Sequence, residues 1–304
     1  MYDLVVIGSP SLDRVLRDVN LFTENVLSGP SIISAATATR LGIENMIVIG
    51  SFSSQDSSLL ENQLEKLDVP EYFKIDSPET GGFEIEFNGD NDPLFRRILG
   101  TPKSIGIRDI PEEFLSTRYI MLSPLLQEVG AELIEWLCNS TDAIILMDPQ
   151  IRTSKPGSMI GIIDELDITS KTSCFLDYIK PNEEEARLIT GESDPFVAAE
   201  ILVDTIAENC IITLGGRGSI LFDGTEFRVI PAFAMNNTNS FGAGAAFLTG
   251  FVSGLIENED PAFCAALGAS VASFKISGEN TNFILDRIMA HKRAREIASE
   301  IQIQ

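Results

Sequence analysis

The sequence predicts an α/β protein whose mostly parallel central sheet is covered by helices on both faces. Apolar runs of strand length recur at residues 4–7, 46–49, 119–122, 143–147 and 210–214, the pattern of strands buried on both sides. Segments of helical period lie between them at 31–41, 127–138, 182–190 and 195–208, as βαβ units require. The 304 residues are 44% apolar and contain no internal repeat, low-complexity tract or flexible linker, so one large domain is expected.

Each element has its own signal. Met1-Tyr2-Asp3-Leu4-Val5-Val6-Ile7-Gly8 lacks a basic flank and has only a short apolar run, so it is expected to open the sheet of a cytoplasmic protein and not to be a signal peptide. Phe83-Glu84-Ile85-Glu86-Phe87 alternates with period two, Asn88-Gly89 supplies a turn, and residues 94–99 return. That is a half-exposed β-hairpin. With residues 72–75 it reads either as a small antiparallel lid or as an edge extension of the main sheet. The organisation adopted is a single domain, 1–304, with a lid insert at about 70–108 and a contribution from about 14–28. The helix at 182–190 opens with Glu183-Glu184-Glu185, charges favoured in a first turn. The uncharged stretch 229–256 is broken by Pro231, Asn236, Asn237, Asn239 and several glycines. Its apolar part falls short of the roughly 20 residues of a bilayer span, so a buried glycine-rich helix is expected.

Charge and composition exclude several chemistries. Lys+Arg number 22 against 45 Asp+Glu, a net charge of −23, so neither nucleic acid nor an anionic membrane is an expected partner. The run His291-Lys292-Arg293-Ala294-Arg295 reads as cations in the last turns of a helix. His291 is the single histidine, which argues against a Ser-His-Asp triad, a Cys-His pair or a His-rich metal site. Cys138, Cys174, Cys210 and Cys264 form no C-x-x-C and lie in apolar surroundings, as small buried hydrophobes do in a reducing compartment.

An acidic protein can still hold anions on backbone N–H groups at a helix N-terminus. The G-x-x-x-x-G-K-[ST] loop is absent, and neither Gly8-Ser9-Pro10 nor Gly242-Ala243-Gly244-Ala245-Ala246-Phe247 completes G-x-G-x-x-G. In Asn239-Ser240-Phe241-Gly242-Ala243-Gly244-Ala245-Ala246-Phe247, small residues open an apolar helix running to about Ile256. Such a turn serves either a phosphate, which glycine lets approach the backbone, or close helix-helix packing.

That segment resembles the D-T-x-G-A-G-D signature of the ribokinase-like (PfkB) carbohydrate kinases, and further landmarks follow in order. Gly8-Ser9-Pro10-Ser11-Leu12-Asp13 is similar to the family's first substrate loop, and Gly29-Pro30-Ser31-Ile32-Ile33-Ser34 to its G-G-x-x-x-N helix start. Lys180-Pro181-Asn182-Glu183-Glu184-Glu185 is similar to its N-x-x-E motif, and Thr213-Leu214-Gly215-Gly216-Arg217-Gly218 to its T-L-G-x-x-G nucleotide loop. The resemblance implies a three-layer α/β/α fold with a β lid, ATP and Mg2+ as donor and cofactor, and a sugar, nucleoside or polyol as phosphoryl acceptor. It places Asp13, Gly29 and Ser34 with the acceptor. It places Asn182, Glu185, Thr213, Gly215, Gly216 and Gly218 with the nucleotide, Glu185 also with magnesium, and Gly242, Ala243, Gly244 and Ala245 at the phosphoryl-transfer centre. An acceptor carboxylate suits polyol hydroxyls because it takes more than one hydrogen bond, and magnesium prefers oxygen ligands while keeping several waters. The exposed lid edge would be covered in a homodimer.

The chain departs from the family pattern at four positions. Its final signature aspartate, the base for the acceptor hydroxyl, is Ala245; its first is Asn239; its second threonine is Phe241; and the asparagine of the substrate helix is Ser34. Loss of a general base costs about 10²- to 10⁴-fold in rate, because positioning and charge stabilisation remain. Three readings stay open: a slow kinase of a sugar or cyclic polyol, a pseudokinase that senses a nucleotide or metabolite, and an engineered variant. Residues 122–128 and Met147-Asp148-Pro149-Gln150-Ile151-Arg152 also resemble the branch containing inositol kinases. This adds Gln150 and Arg152 on the acceptor side, with Arg152 reaching an anionic group or anchoring Asp148.

Overall fold

In the computed structural model, residues 1–17, 22–87, 93–126, 128–150, 175–235, 239–278 and 281–304 are described. β1 (Tyr2–Ile7) runs parallel to β4 (Met46–Ser53) and β8 (Thr117–Leu122), with Leu4 opposite both Met46 and Tyr119. Parallel pairing continues through β9 (Ile144–Met147), β10 (Leu176–Ile179) and β11 (Ala207–Thr213) on one side and to β5 (Tyr72–Ser77) on the other. β12 (Ser219–Phe222), β13 (Phe227–Ile230) and β14 (Gln302–Ile303) complete the sheet antiparallel, giving ten strands among the described residues.

The apolar runs are explained by where alternate side chains go. Leu4, Val6, Met46 and Val48 enter one core, shared with α1 (Pro30–Arg40), α6 (Ala243–Ile256), α7 (Pro261–Ile276) and α8 (Arg287–Ala298). Val5, Ile7, Ile47 and Ile49 enter a second core, against α3 (Ala131–Ser140), α4 (Glu183–Thr190) and α5 (Pro195–Thr205). The central positions of β1 and β4 are therefore buried whichever way they point, and their apolar runs show no polar alternation. A smaller apolar group joins Leu60 of α2 (Ser57–Lys66) to Ile32 and Phe52. No helix among the described residues is long and apolar enough to cross a membrane.

A second sheet stands apart, in the order β3 (Phe22–Ser28), β2 (Ser11–Arg17), β6 (Gly82–Phe87) and β7 (Pro93–Gly100). The hairpin expected at 83–99 supplies two of its strands, while the Asn88-Gly89 turn lies outside the described residues. β2 pairs antiparallel with β3 and parallel with β6. Residues 72–75, grouped with the hairpin on sequence, belong instead to β5 at the edge of the main sheet. Phe73 and Ile75 pack in the second core, and the Phe73 ring meets Phe114 edge-on at 5.2 Å; that burial overrides sequence proximity to the hairpin.

Two helix boundaries also differ from expectation. α3 begins at Ala131 and not at 127, because Val129 bridges to Ile105 and Gly130 precedes the first turn. α5 stops at Thr205, since Ala207 already starts β11. Cys210 and Cys264 are fully buried and burial pushes the Cys264 thiol up to about 12. Cys138 is half-buried, and Cys174 lies outside the described residues.

Glu128 holds this region to the start of the lid. Its buried carboxylate accepts from Ser9 N (2.9 Å) and Leu125 N (2.8 Å) through Oε1 and from Leu126 N (2.9 Å) through Oε2. Glu128→Gln keeps the shape but replaces an acceptor oxygen by a donor beside an N–H. Urea unfolding of this variant is expected to show a loss of about 1.5–3 kcal/mol, the scale of hydrogen bonds to charged groups. A loss below half a kcal/mol would mean that water takes over these amides.

Candidate functional site

The carboxyl ends of parallel strands are where an α/β sheet leaves a crevice, and a cavity of about 730 Å³ lies there between the lid and the N-terminus of α6. On the lid side it is lined by Asp13 of β2. The Asp13 carboxylate is 2% exposed; Oδ1 accepts from Phe83 N and Oδ2 from Ser11 Oγ, both at 2.9 Å. It is a held acceptor whose orientation β6 fixes from across the small sheet. Gly29, just before α1, lines the same wall. Among the described residues Ser34 is not part of the cavity wall: it is fully buried within α1, and its Oγ has no hydrogen-bond partner there.

On the opposite side, Asn182 and Glu185 form a capping box at the start of α4. Asn182 Oδ1 accepts from Glu185 N (2.9 Å), and Glu185 Oε2 accepts from Asn182 N (2.8 Å). The pattern N-x-x-E is therefore satisfied locally as a helix start, while both side chains also line the cavity. Thr213, at the end of β11, and Gly215, Gly216 and Gly218 in the following turn complete that wall.

Between the two walls α6 begins. Its N-cap, Gly242, has φ +77°, which favours glycine, and a Cβ there would come within 2.3 Å of Ile33 Cδ1, so that side chain would have to move. Among the described residues no side chain caps the helix, and the Gly244 and Ala245 N–H groups have no acceptor there. These are the orphan donors of a helix start, carrying the positive end of its dipole. Ala243, Gly244 and Ala245 all border the cavity, and Ala245 is 2% exposed.

Two lysines reach this turn. Lys180 Nζ lies 3.2 Å from Asp148 Oδ1, with both side chains almost fully buried, and Gln150 Nε2 donates to Asp148 Oδ2 at 2.8 Å. The pair packs on Gly244: a Cβ there would lie 3.0 Å from Lys180 Nζ and 3.4 Å from Asp148 Oδ2. Gln150 borders the cavity in a left-handed conformation, φ +50°, a strained choice for a residue with a Cβ. Arg152 lies outside the described residues. The second lysine, Lys275 near the end of α7, is fully buried and donates to Phe241 O at 2.8 Å. Desolvation pushes its ammonium down to about 8.

The sequence suggests Asp148 only as a partner of Arg152 and gives Lys180 no role of its own; the two lie 32 residues apart. Lys275 was missed, although it is the single charged residue of the sixteen in α7, and an isolated charge in an apolar helix needs a reason. Phe83, Phe95 and Phe241 were missed as a set. They line the cavity, with the Phe83 and Phe95 rings edge-on at 5.2 Å and Phe95 tilted against Phe241 at 6.2 Å. No three His, Cys, Asp or Glu side chains converge as a metal cage among the described residues.

Residues 111–287 match the family described as pfkB family carbohydrate kinase. A ribokinase of Haemophilus influenzae is 30% identical over 295 residues, spanning 90% of this chain and 92% of its own length. A cytidine kinase of Thermococcus kodakarensis is 26% identical over 274 residues, or 88% and 94% of the two chains. The structure of a pyrophosphate-dependent kinase in the ribokinase family, complexed with a pyrophosphate analog and myo-inositol, superimposes with a TM-score of 0.75 at 20% identity, covering 90% of this chain and 95% of that one.

Proposed function

The chain belongs to the pfkB family of carbohydrate kinases, and from that premise we propose that it binds ATP and transfers its terminal phosphoryl group slowly to a hydroxyl of a sugar, nucleoside or cyclic polyol. The observation that carries the reading is the meeting, in one cavity, of the held carboxylate of Asp13 and the uncapped turn of α6. A hydroxyl accepted by Asp13 and a phosphate on the Gly244 and Ala245 amides would share one enclosed space, which is the positioning that phosphoryl transfer depends on.

Each wall has a part in this scheme. The turn at Gly215, Gly216 and Gly218 would face the nucleotide. Asn182 and Glu185 suit magnesium in the way that metal is usually held, by one or two carboxylates together with waters and phosphate oxygens; when bound, the metal neutralises phosphate charge. Phe83, Phe95 and Phe241 give the lid side an apolar, ring-lined face, which supports an acceptor with a flat or apolar part, such as a nucleoside, over a fully polar one.

The slow rate follows from the proton. The acceptor hydroxyl must lose one as its oxygen bonds to phosphorus, and Ala245 offers a methyl group at that turn. Of the carboxylates on the cavity wall, Asp13 is oriented by Phe83 N and Ser11 Oγ, Asp148 is held by Lys180 and Gln150, and Glu184 and Glu185 stand at the start of α4 on the opposite side. The same methyl supports the second reading, a nucleotide- or metabolite-binding sensor without transfer. Coupled ADP release across a panel of sugars, nucleosides and inositols separates the two: slow turnover supports the kinase, and binding without turnover supports the sensor.

Gly244→Val tests the donor site itself. A ligand at a hundred times its Kd stabilises the folded chain by about 2.7 kcal/mol. Valine adds methyl groups where even a Cβ is tight against Lys180, so the thermal shift with ATP is expected to vanish. Persistence of the shift in a variant with native circular dichroism would place the phosphates elsewhere.

A further inference from the structure

We propose that Lys275 is a positioning residue for the anionic donor: its ammonium, fixed on the Phe241 carbonyl behind the first turn of α6, is a positive charge that the described residues leave uncompensated at the phosphate site. The inference rests on the donor lying at that turn, as proposed above.

The geometry distinguishes the two lysines. Lys180 is paired with Asp148 at 3.2 Å, so that couple adds little net charge to the turn. Lys275 Nζ has one hydrogen-bond acceptor, a neutral carbonyl, and no carboxylate within ion-pair distance among the described residues. Its Cε would lie 3.4 Å from a Cβ on Gly242, the residue that caps α6. Phe241 O is thus turned away from the helix toward Lys275, and the bond ties the loop before α6 to the end of α7.

Other elements packed on α7 do not neutralise it. α6 carries no charged residue, and neither does β12. From α1, Arg40 stacks on the Phe283 ring at 4.4 Å, and Lys275 Nζ lies 5.7 Å from the same ring, so the charged group that shares this ring with Lys275 is another cation. From α8, Arg293 is bonded to Ser273 Oγ and lies over Phe274. Arg228 of β13 is engaged by Asp223 and Glu226.

A buried ammonium without a counter-charge is costly unless something else uses the charge. In a chain of net charge −23, a polyphosphate in the adjacent turn is the ligand class that would. Burial pushes the group down to about 8, and a bound polyanion would raise it again, so binding and protonation are linked. The sign is fixed: the charge is present below about pH 8 and lost above it, so donor affinity falls as pH rises. A terminal phosphate is itself fully ionised above about pH 7, so its own titration does not produce that slope.

The test is ATP binding by calorimetry at several pH values, with no turnover required. The Kd of the native chain is expected to rise about sixfold between about pH 7.5 and 9.5, most of the tenfold limit set by about one pKa unit of coupling. At about pH 8.5, binding should take up roughly half a proton, read from buffers of different ionisation enthalpy. Lys275→Met should bind more weakly with a flat profile, and Lys275→Arg should stay tight across the range. Should the Met variant not fold, proton uptake by the native chain decides alone. No uptake, or the same pH slope in Lys275→Met, overturns the inference. If Gly244→Val abolishes binding while the native profile is flat, only the role of Lys275 fails; if Gly244→Val binds ATP normally, the donor site itself is wrong.

Discussion

Ala245→Asp is expected to raise the rate of phosphoryl transfer about 10²- to 10⁴-fold, the usual contribution of a positioned general base. Residue 245 sits in the first turn of α6, on the cavity wall and one residue from the glycine that packs on Asp148 and Lys180. A carboxylate there would meet the positive end of the helix dipole, worth about 0.3–1 kcal/mol in its favour. It would also stand near Asp148, but Lys180 lies at the same turn to screen the repulsion. Ala245→Asn supplies similar bulk and polarity without proton affinity, so it should give no such gain. The measurement is single-turnover phosphoryl transfer with the best acceptor of the panel. If kcat of the aspartate variant stays within twofold of the native value, Phe241 or Ser34 has altered the site more deeply than one missing carboxylate.

Lys180→Met is expected to be the most destabilising single change, at about 3–5 kcal/mol, because it leaves the Asp148 carboxylate buried without its counter-charge. Asp148 is fully buried, and among the described residues its Oδ1 has no partner beyond the contact with Lys180. The double variant Asp148→Asn, Lys180→Met should recover much of the loss, as expected when the stranded charge and not lost packing is responsible. Equilibrium urea unfolding of the native chain, the two single variants and the double variant reads the coupling directly. Additive losses in the double variant would show that the two side chains act independently and that the ion pair is incidental.

The contrast between these residues shows what a sequence discloses. The inner strands were legible because burial on both faces leaves unbroken apolar runs, as in Leu4-Val5-Val6-Ile7. The start of α4 was legible because Glu183, Glu184 and Glu185 put three acidic residues in its first turn, while the reciprocal bonds of Asn182 and Glu185 emerge only in the fold. β5 was misplaced because its partner choice depends on Phe73 and Ile75 meeting a core built from distant segments. α3 and α5 were drawn too long because Glu128 is recruited by the amides of Ser9, Leu125 and Leu126, and Ala207 by a neighbouring strand. Within the site, glycine spacing pointed to the turn of α6. The pairing of Asp148 with Lys180, the approach of Lys275 to Phe241 and the phenylalanine wall are products of folding over long separations, which local patterns do not record.

The sharing of each inner strand between two oily layers also limits how such a chain can change. One residue inserted within β1 would send Leu4's neighbours to the wrong side and exchange the occupants of both layers at once. Insertions in the loops that leave the carboxyl ends of the strands would disturb neither layer. Variation in length is thereby steered toward the rim of the crevice, where a new acceptor can be accommodated without rebuilding the scaffold beneath it.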